Sequence, residues 1–116
     1  MMTHKIYTMS FFSIYDALIK KAQRKNRTKA EVDTIISWMT GYQVEQLNDM
    51  VQSEIDYQTF FHQAPAMNPA RHLIKGSICG VKIQEIEDPL MKDIRYLDKL
   101  IDELAKGKAM EKILRG

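Results

Sequence analysis

The chain has 116 residues, 45% hydrophobic and 28% charged, with a formal net charge of +2; that length suffices for one domain, residues 1–116, whose core needs no metal or disulfide to hold it, and the composition excludes intrinsic disorder. The single cysteine, Cys79, excludes an internal disulfide and fits a reducing, cytoplasmic setting. Charges or amides interrupt every apolar run, which excludes a membrane span, and Met1 to Ser10 lacks the apolar stretch of a secretory signal, so export is not expected.

From Phe11 the apolar residues Phe11, Ile14, Tyr15, Leu18, Ile19 and Ala22 recur at helical spacing and predict a first helix. The cations Lys20, Lys21, Arg24, Lys25, Arg27 and Lys29 follow near its C-terminal end, where positive charge complements the helix dipole. Thr28-Lys29-Ala30-Glu31 reads as a capping box opening a second helix, with Val32, Ile35, Ile36 and Met39 inward, Trp38 beside them and Gly41 as the left-handed stop. A third short helix is predicted from Gln43 to about Gln52, with Val44, Leu47, Met50 and Val51 inward. Asp56 caps a brief turn carrying Tyr57, Phe60 and Phe61, and Pro65 marks a loop. Asn68-Pro69 is a cap and first helical residue for a segment carrying Leu73, Ile74, Ile78 and Cys79, weakened by Gly76. Val81 and Ile83 alternate with Lys82 and Gln84, the pattern of a short strand whose partner would be Lys5 to Met9. Asp88-Pro89 opens the most strongly patterned helix, with Leu90, Ile94, Leu97, Leu100, Ile101 and Leu104 inward and Gly107 at its end. Lys108 to Arg115 then supplies a last helical turn or two that docks through Met110, Ile113 and Leu114. The predicted fold is all-α, a compact bundle of five or six short helices with room for one or two very short strands.

Several phrases carry a resemblance: Tyr7-Thr8-Met9-Ser10-Phe11, Arg27-Thr28-Lys29-Ala30-Glu31-Val32-Asp33, Trp38-Met39-Thr40-Gly41-Tyr42, Ala64-Pro65 with Asn68-Pro69, and Ile86-Glu87-Asp88-Pro89-Leu90-Met91 running into Ile94-Arg95-Tyr96-Leu97-Asp98-Lys99-Leu100. In these phrases, which span nearly the whole chain, the sequence resembles the small bacterial family called domain of unknown function 2200. The resemblance implies a compact, mainly helical bacterial domain. It implies no activity and brings no catalytic or binding residues with it.

Charge is unevenly spread: residues 1–29 carry seven Lys or Arg against Asp16 alone, whereas residues 30–70 carry no Lys or Arg and six acids. The second and third helices form a hairpin like a helix-turn-helix, but the latter carries Glu45 and Asp49 and no cation, so nucleic acid is a disfavoured partner. The strip Lys20, Lys21, Arg24, Lys25, Arg27 and Lys29 is the one candidate for weak polyanion binding, set against a plain solvated face. Cys79 with His72 would make a thiolate–imidazole pair, yet Cys79 sits among apolar residues where cysteine behaves as a small hydrophobe. His4, His62, His72 and Cys79 are too scattered for a metal set, and no cofactor motif is present. Gly76 and Gly80 match a G-x-x-x-G spacing that has meaning only inside an apolar span.

For a small ligand the candidate residues are Trp38, Tyr42, Asn68, Arg71 and His72, because the first turn after Asn68-Pro69 offers free amides to an anion. Asp88, Asp93, Arg95, Tyr96, Asp98 and Lys99 would furnish acid–base groups if a cleft separated their pKa values, and fit a salt-bridged surface equally well. The favoured reading is a cytoplasmic binding or interaction module, with a protein partner or a homodimer joined through its opposed charges. The alternatives are a small enzyme or anion-binding domain at Trp38, Tyr42, Arg71 and His72, or the polyanion binder.

Overall fold

The computed structural model describes residues 5–50, 52–78 and 80–115, so the readings placed on His4, Val51 and Cys79 lie outside the described residues. One turn of helix, α1 (Lys5–Thr8), leads to Ser10, whose hydroxyl accepts from the Ser13 amide at 3.2 Å and starts α2 (Phe11–Gln23). The capping box forms as the sequence predicts: Thr28 Oγ1 accepts from the Glu31 amide at 3.2 Å and Glu31 Oε1 accepts from the Thr28 amide at 2.9 Å, opening α3 (Lys29–Thr40). Gly41 ends it with φ 83°, a conformation that costs glycine little. Helices α4 (Val44–Met50), α5 (Tyr57–His62, capped by Asp56), α6 (Pro89–Ala105) and α7 (Met110–Ile113) complete the helical set. Among the described residues, no helix is long and apolar enough to cross a membrane.

The axle of the core is α6. Ile94, Leu97, Leu100, Ile101 and Leu104 are fully buried, while Leu90 is only half-buried because its turn lies at the rim. Helix α6 packs on α2, α3 and α7, so the longest apolar stripe serves three neighbours at once. At the other side an aromatic wedge closes the core, with Phe60 stacked on Phe11 at 4.1 Å and on Tyr42 at 4.8 Å between centroids. Each such pair adds about 0.5–1.5 kcal/mol beyond simple burial.

Several predicted elements are corrected. The strand at Val81 covers only Val81–Lys82 (β2), because Ile83–Glu85 turns into a 3-10 helix, and it pairs antiparallel with Ser77–Ile78 (β1), in register Ser77 with Lys82 and Ile78 with Val81. Lys5–Thr8 is helical, and the N-terminal segment instead bridges Ser10 to Asp56, with Phe11 N donating to Ile55 O and Tyr57 N to Met9 O, both at 2.9 Å. A strand takes the nearest backbone that a turn can fold onto it, and Gly76 and Gly80, both at positive φ, allow the local hairpin. The helix expected after Asn68-Pro69 is a five-residue 3-10 turn, Pro69–Leu73, which leaves Leu73 53% exposed. The backbone is already extended at Ile74, with φ −72° and ψ 120°, so the helix ends ahead of Gly76 and Ile78 is buried from β1. In α4 the expected inward residue Val44 is exposed, because this short helix meets the core through Leu47.

Candidate functional site

Of the five residues proposed for a small ligand, four meet and one turns away. Helix α3 ends with four carbonyls that lack helical donors, and each is supplied. Gly41 N reaches Ser37 O at 2.9 Å, Asn68 Nδ2 reaches Trp38 O at 3.2 Å, Asn68 N reaches Met39 O at 2.8 Å and Ala66 N reaches Thr40 O at 3.0 Å. Asn68 Oδ1 simultaneously accepts from Ala70 N at 2.9 Å. Arg71 is committed as well, with Nε on Asp93 Oδ1 and Nη1 on Asn68 O, both at 2.9 Å. His72 Nδ1 lies 3.2 Å from the Tyr96 hydroxyl, and their rings meet edge to face. Trp38, Asn68, Arg71 and His72 thus join Asp93 and Tyr96 in a latch between the end of α3 and α6, with the Tyr96 phenol pushed up by burial and then by Asp93.

Tyr42 belongs to a different surface. Its hydroxyl donates to Phe60 O at 2.7 Å, burial raises its phenol, and its ring helps line an open cleft of about 610 Å³. The cleft is also lined by Gln46 and Met50 of α4, by Thr59 of α5 and Gln63 just past that helix's end, and by Ser53, Ile55 and Pro65. Gln46 and Met50 are an i,i+4 pair, which places their side chains one above the other on one face of α4. The lining is apolar in its carbon, with amides and hydroxyls at the edge, and Tyr42 is its one titratable member. Sequence reasoning singled out Tyr42, Met50 as a core residue and Pro65 as a loop mark. Gln46, Ser53, Ile55, Thr59 and Gln63 went unnoticed, and the only signal available was the i,i+4 spacing.

The basic strip is largely spoken for. Lys20 pairs with Asp16 at 2.9 Å, Lys21 with Asp102 at 3.5 Å, Arg27 with Glu31 at 2.7 Å and Lys29 with Asp33 at 2.8 Å. Arg27 also donates to Leu104 O and Lys108 O, closing the end of α6, and its guanidinium holds the Glu31 carboxyl down at about 2. Lys29 sits over the Tyr15 ring and bonds Asn48, while Tyr15 donates its hydroxyl to buried Asp33. Only Arg24 and Lys25, at the α2–α3 turn, have no carboxylate partner among the described residues.

The proposed acid–base set on α6 is dispersed around the helix. Asp88 caps Leu90 and accepts from Tyr7, whose phenol is pushed up to about 12 by burial and by Asp88. Arg95 pairs with Asp98 at 3.1 Å, Asp93 faces Arg71, and Lys99 bonds Ser77 O at 3.3 Å. Burial raises Asp98, and near this pair lies the Tyr57 hydroxyl, fully buried without a protein partner among the described residues. No group of three or more His, Cys, Asp or Glu is placed to hold a metal ion among the described residues.

A short-helix bundle closed by an Asn68 latch, with a mostly uncharged cleft beside two of its short helices, defines a small, mainly helical protein. The sequence profile of the family described as "Uncharacterized protein conserved in bacteria (DUF2200)" matches residues 5–115, and the chain belongs to that family. It is similar to a solved structure described as "Crystal structure of uncharacterized protein SP1917", with 47% identity and a TM-score of 0.92 over 97% of this chain and 93% of that one. Among curated proteins nothing matches.

Proposed function

We propose that this protein is a binding module that receives an apolar side chain of a partner protein in the α4–α5 cleft. The observation that carries the reading is the cleft itself: about 610 Å³ lined by residues of α4 and α5 and the segments beside them, with the apolar side chains of Tyr42, Met50, Ile55 and Pro65 among the amides of Gln46 and Gln63 and the hydroxyls of Ser53 and Thr59. Concave apolar surfaces with a few polar groups at the edge are where ligands and helical anchors seat. A single titratable lining residue offers contact surface without a proton-transfer pair. The competing small-ligand site asks Arg71 and His72 to leave bonds that hold α3 to α6, and the polyanion strip asks the same of Arg27 and Lys29.

The test is recovery of tagged full-length chain from its own cell beside the variants Gln63→Arg and Ser53→Arg, whose exposed side chains would fill the cleft without entering the core. A protein held by the parent and released by both variants supports the reading. Equal recovery with all three, or no specific companion, defeats it.

A further inference from the structure

Three exposed carboxylates without a cation partner among the described residues border the cleft. Among the described residues seven acids form ion pairs: Asp16, Glu31, Asp33, Asp93, Asp98, Asp102 and Glu103. Glu45, Asp49 and Glu54 do not pair with a cation among the described residues, all three are exposed, and each is the immediate chain neighbour of a residue that lines the cleft. Glu54 lies between Ser53 and Ile55, while Glu45 and Asp49 flank Gln46 and Met50 on α4. Nor is there any Lys or Arg in residues 30–70 to offset them.

This arrangement works against the helix that carries it. Glu45 and Asp49 are like charges at i,i+4, which repel across one helical turn. Asp49 also stands in the last turn of α4, at the negative end of the helix dipole. A cation approaching from outside relieves both, whereas an anion would meet a surface already negative. Glu85, Glu87 and Glu111 are also exposed without a cation partner among the described residues, but none of them neighbours a residue that lines the cleft, so Glu45, Asp49 and Glu54 are the acids from which an external positive charge at the cleft would gain.

We infer that the cleft's occupant is a cationic segment of a partner protein, in which an apolar side chain seats between α4 and α5 while flanking Lys or Arg residues meet Glu45, Asp49 and Glu54. The inference rests on the binding role given to the cleft above. Cations at an exposed rim contribute chiefly to association rate and salt dependence, and the seated apolar side chain supplies the anchor.

A random-peptide phage library selected against the full-length chain supplies the probes, and the selected peptides are titrated into the isotope-labelled chain while its amide spectrum is followed. Enrichment for Lys and Arg beside an apolar residue, with shifts confined to residues 43–65, is expected. Affinity should fall about tenfold in Glu45→Gln/Asp49→Asn/Glu54→Gln, three exposed pairs each lost at a few tenths of their ideal strength, and should fall with added salt. The unbound spectrum of that variant verifies its fold. Neutral or acidic peptides that still shift residues 43–65 overturn the cationic occupant and leave the cleft reading standing. Peptides that shift other residues, or a library yielding none, overturn both.

Discussion

Replacing Gly41 with alanine tests how closely the Ala66–Asn68 segment is held against the end of α3. A Cβ built on Gly41 would stand 2.8 Å from Ala66 N and 3.0 Å from both Ala66 Cβ and Ala66 O. Two of those atoms are backbone, and the Ala66 amide is already engaged with Thr40 O, so the segment has no flexible side chain with which to give way. Two costs add: about 1–2 kcal/mol for holding a non-glycine residue at φ 83° and about 1–3 kcal/mol for the overpacking. Gly107 separates them, since it also has positive φ, 91°, but a Cβ there meets nothing within 4 Å. Gly107→Ala should therefore lose only the conformational part. Urea unfolding of both variants measures the difference, expected at about 1–3 kcal/mol in favour of Gly107→Ala. Amide exchange should quicken at Ala66 and Asn68 in Gly41→Ala alone. Equal losses in the two variants, or unchanged protection at those amides, would refute the close-contact argument.

Two further outcomes follow from the polar clusters. Arg27 holds Glu31 at about 2 in the folded chain against an ordinary 4.5, so the folded carboxylate binds its proton less readily than the unfolded one. The resulting stability is present above pH 4.5 and is lost as pH falls toward 2. Both side chains are partly exposed, so screening reduces it to about 1 kcal/mol, and Glu31→Gln should flatten the acid limb of a stability-against-pH curve by that amount; an unaltered limb would count against the pair. Tyr15→Phe removes the donor to buried Asp33 and should cost about 1–3 kcal/mol, whereas Tyr57→Phe removes a hydroxyl with no protein partner among the described residues and should be neutral or stabilising by thermal melting. The reverse order would mean that the two hydroxyls had been assigned the wrong energetic roles.

Local chemistry determined much of this protein from the sequence alone. The Thr28 capping box, Gly41, the Asp56 cap, Asn68-Pro69 and Asp88-Pro89 are signals read over a few residues, and each sits where its spacing placed it. The stripe Ile94, Leu97, Leu100, Ile101 and Leu104 identified the helix around which the core is built. Tertiary structure decided the rest, because it depends on which distant segments meet. Nothing local shows that Asn68 will complete the end of α3 or that Arg71 will meet Asp93, contacts separated by 30 and 22 residues. Nor does periodicity reveal that residues of α4 and α5 line one cleft, since hydrophobic spacing reports what turns inward and is silent about which outward residues come together. Only the packing of Leu47 and Phe60 into one core brings Gln46 and Gln63 to the same surface.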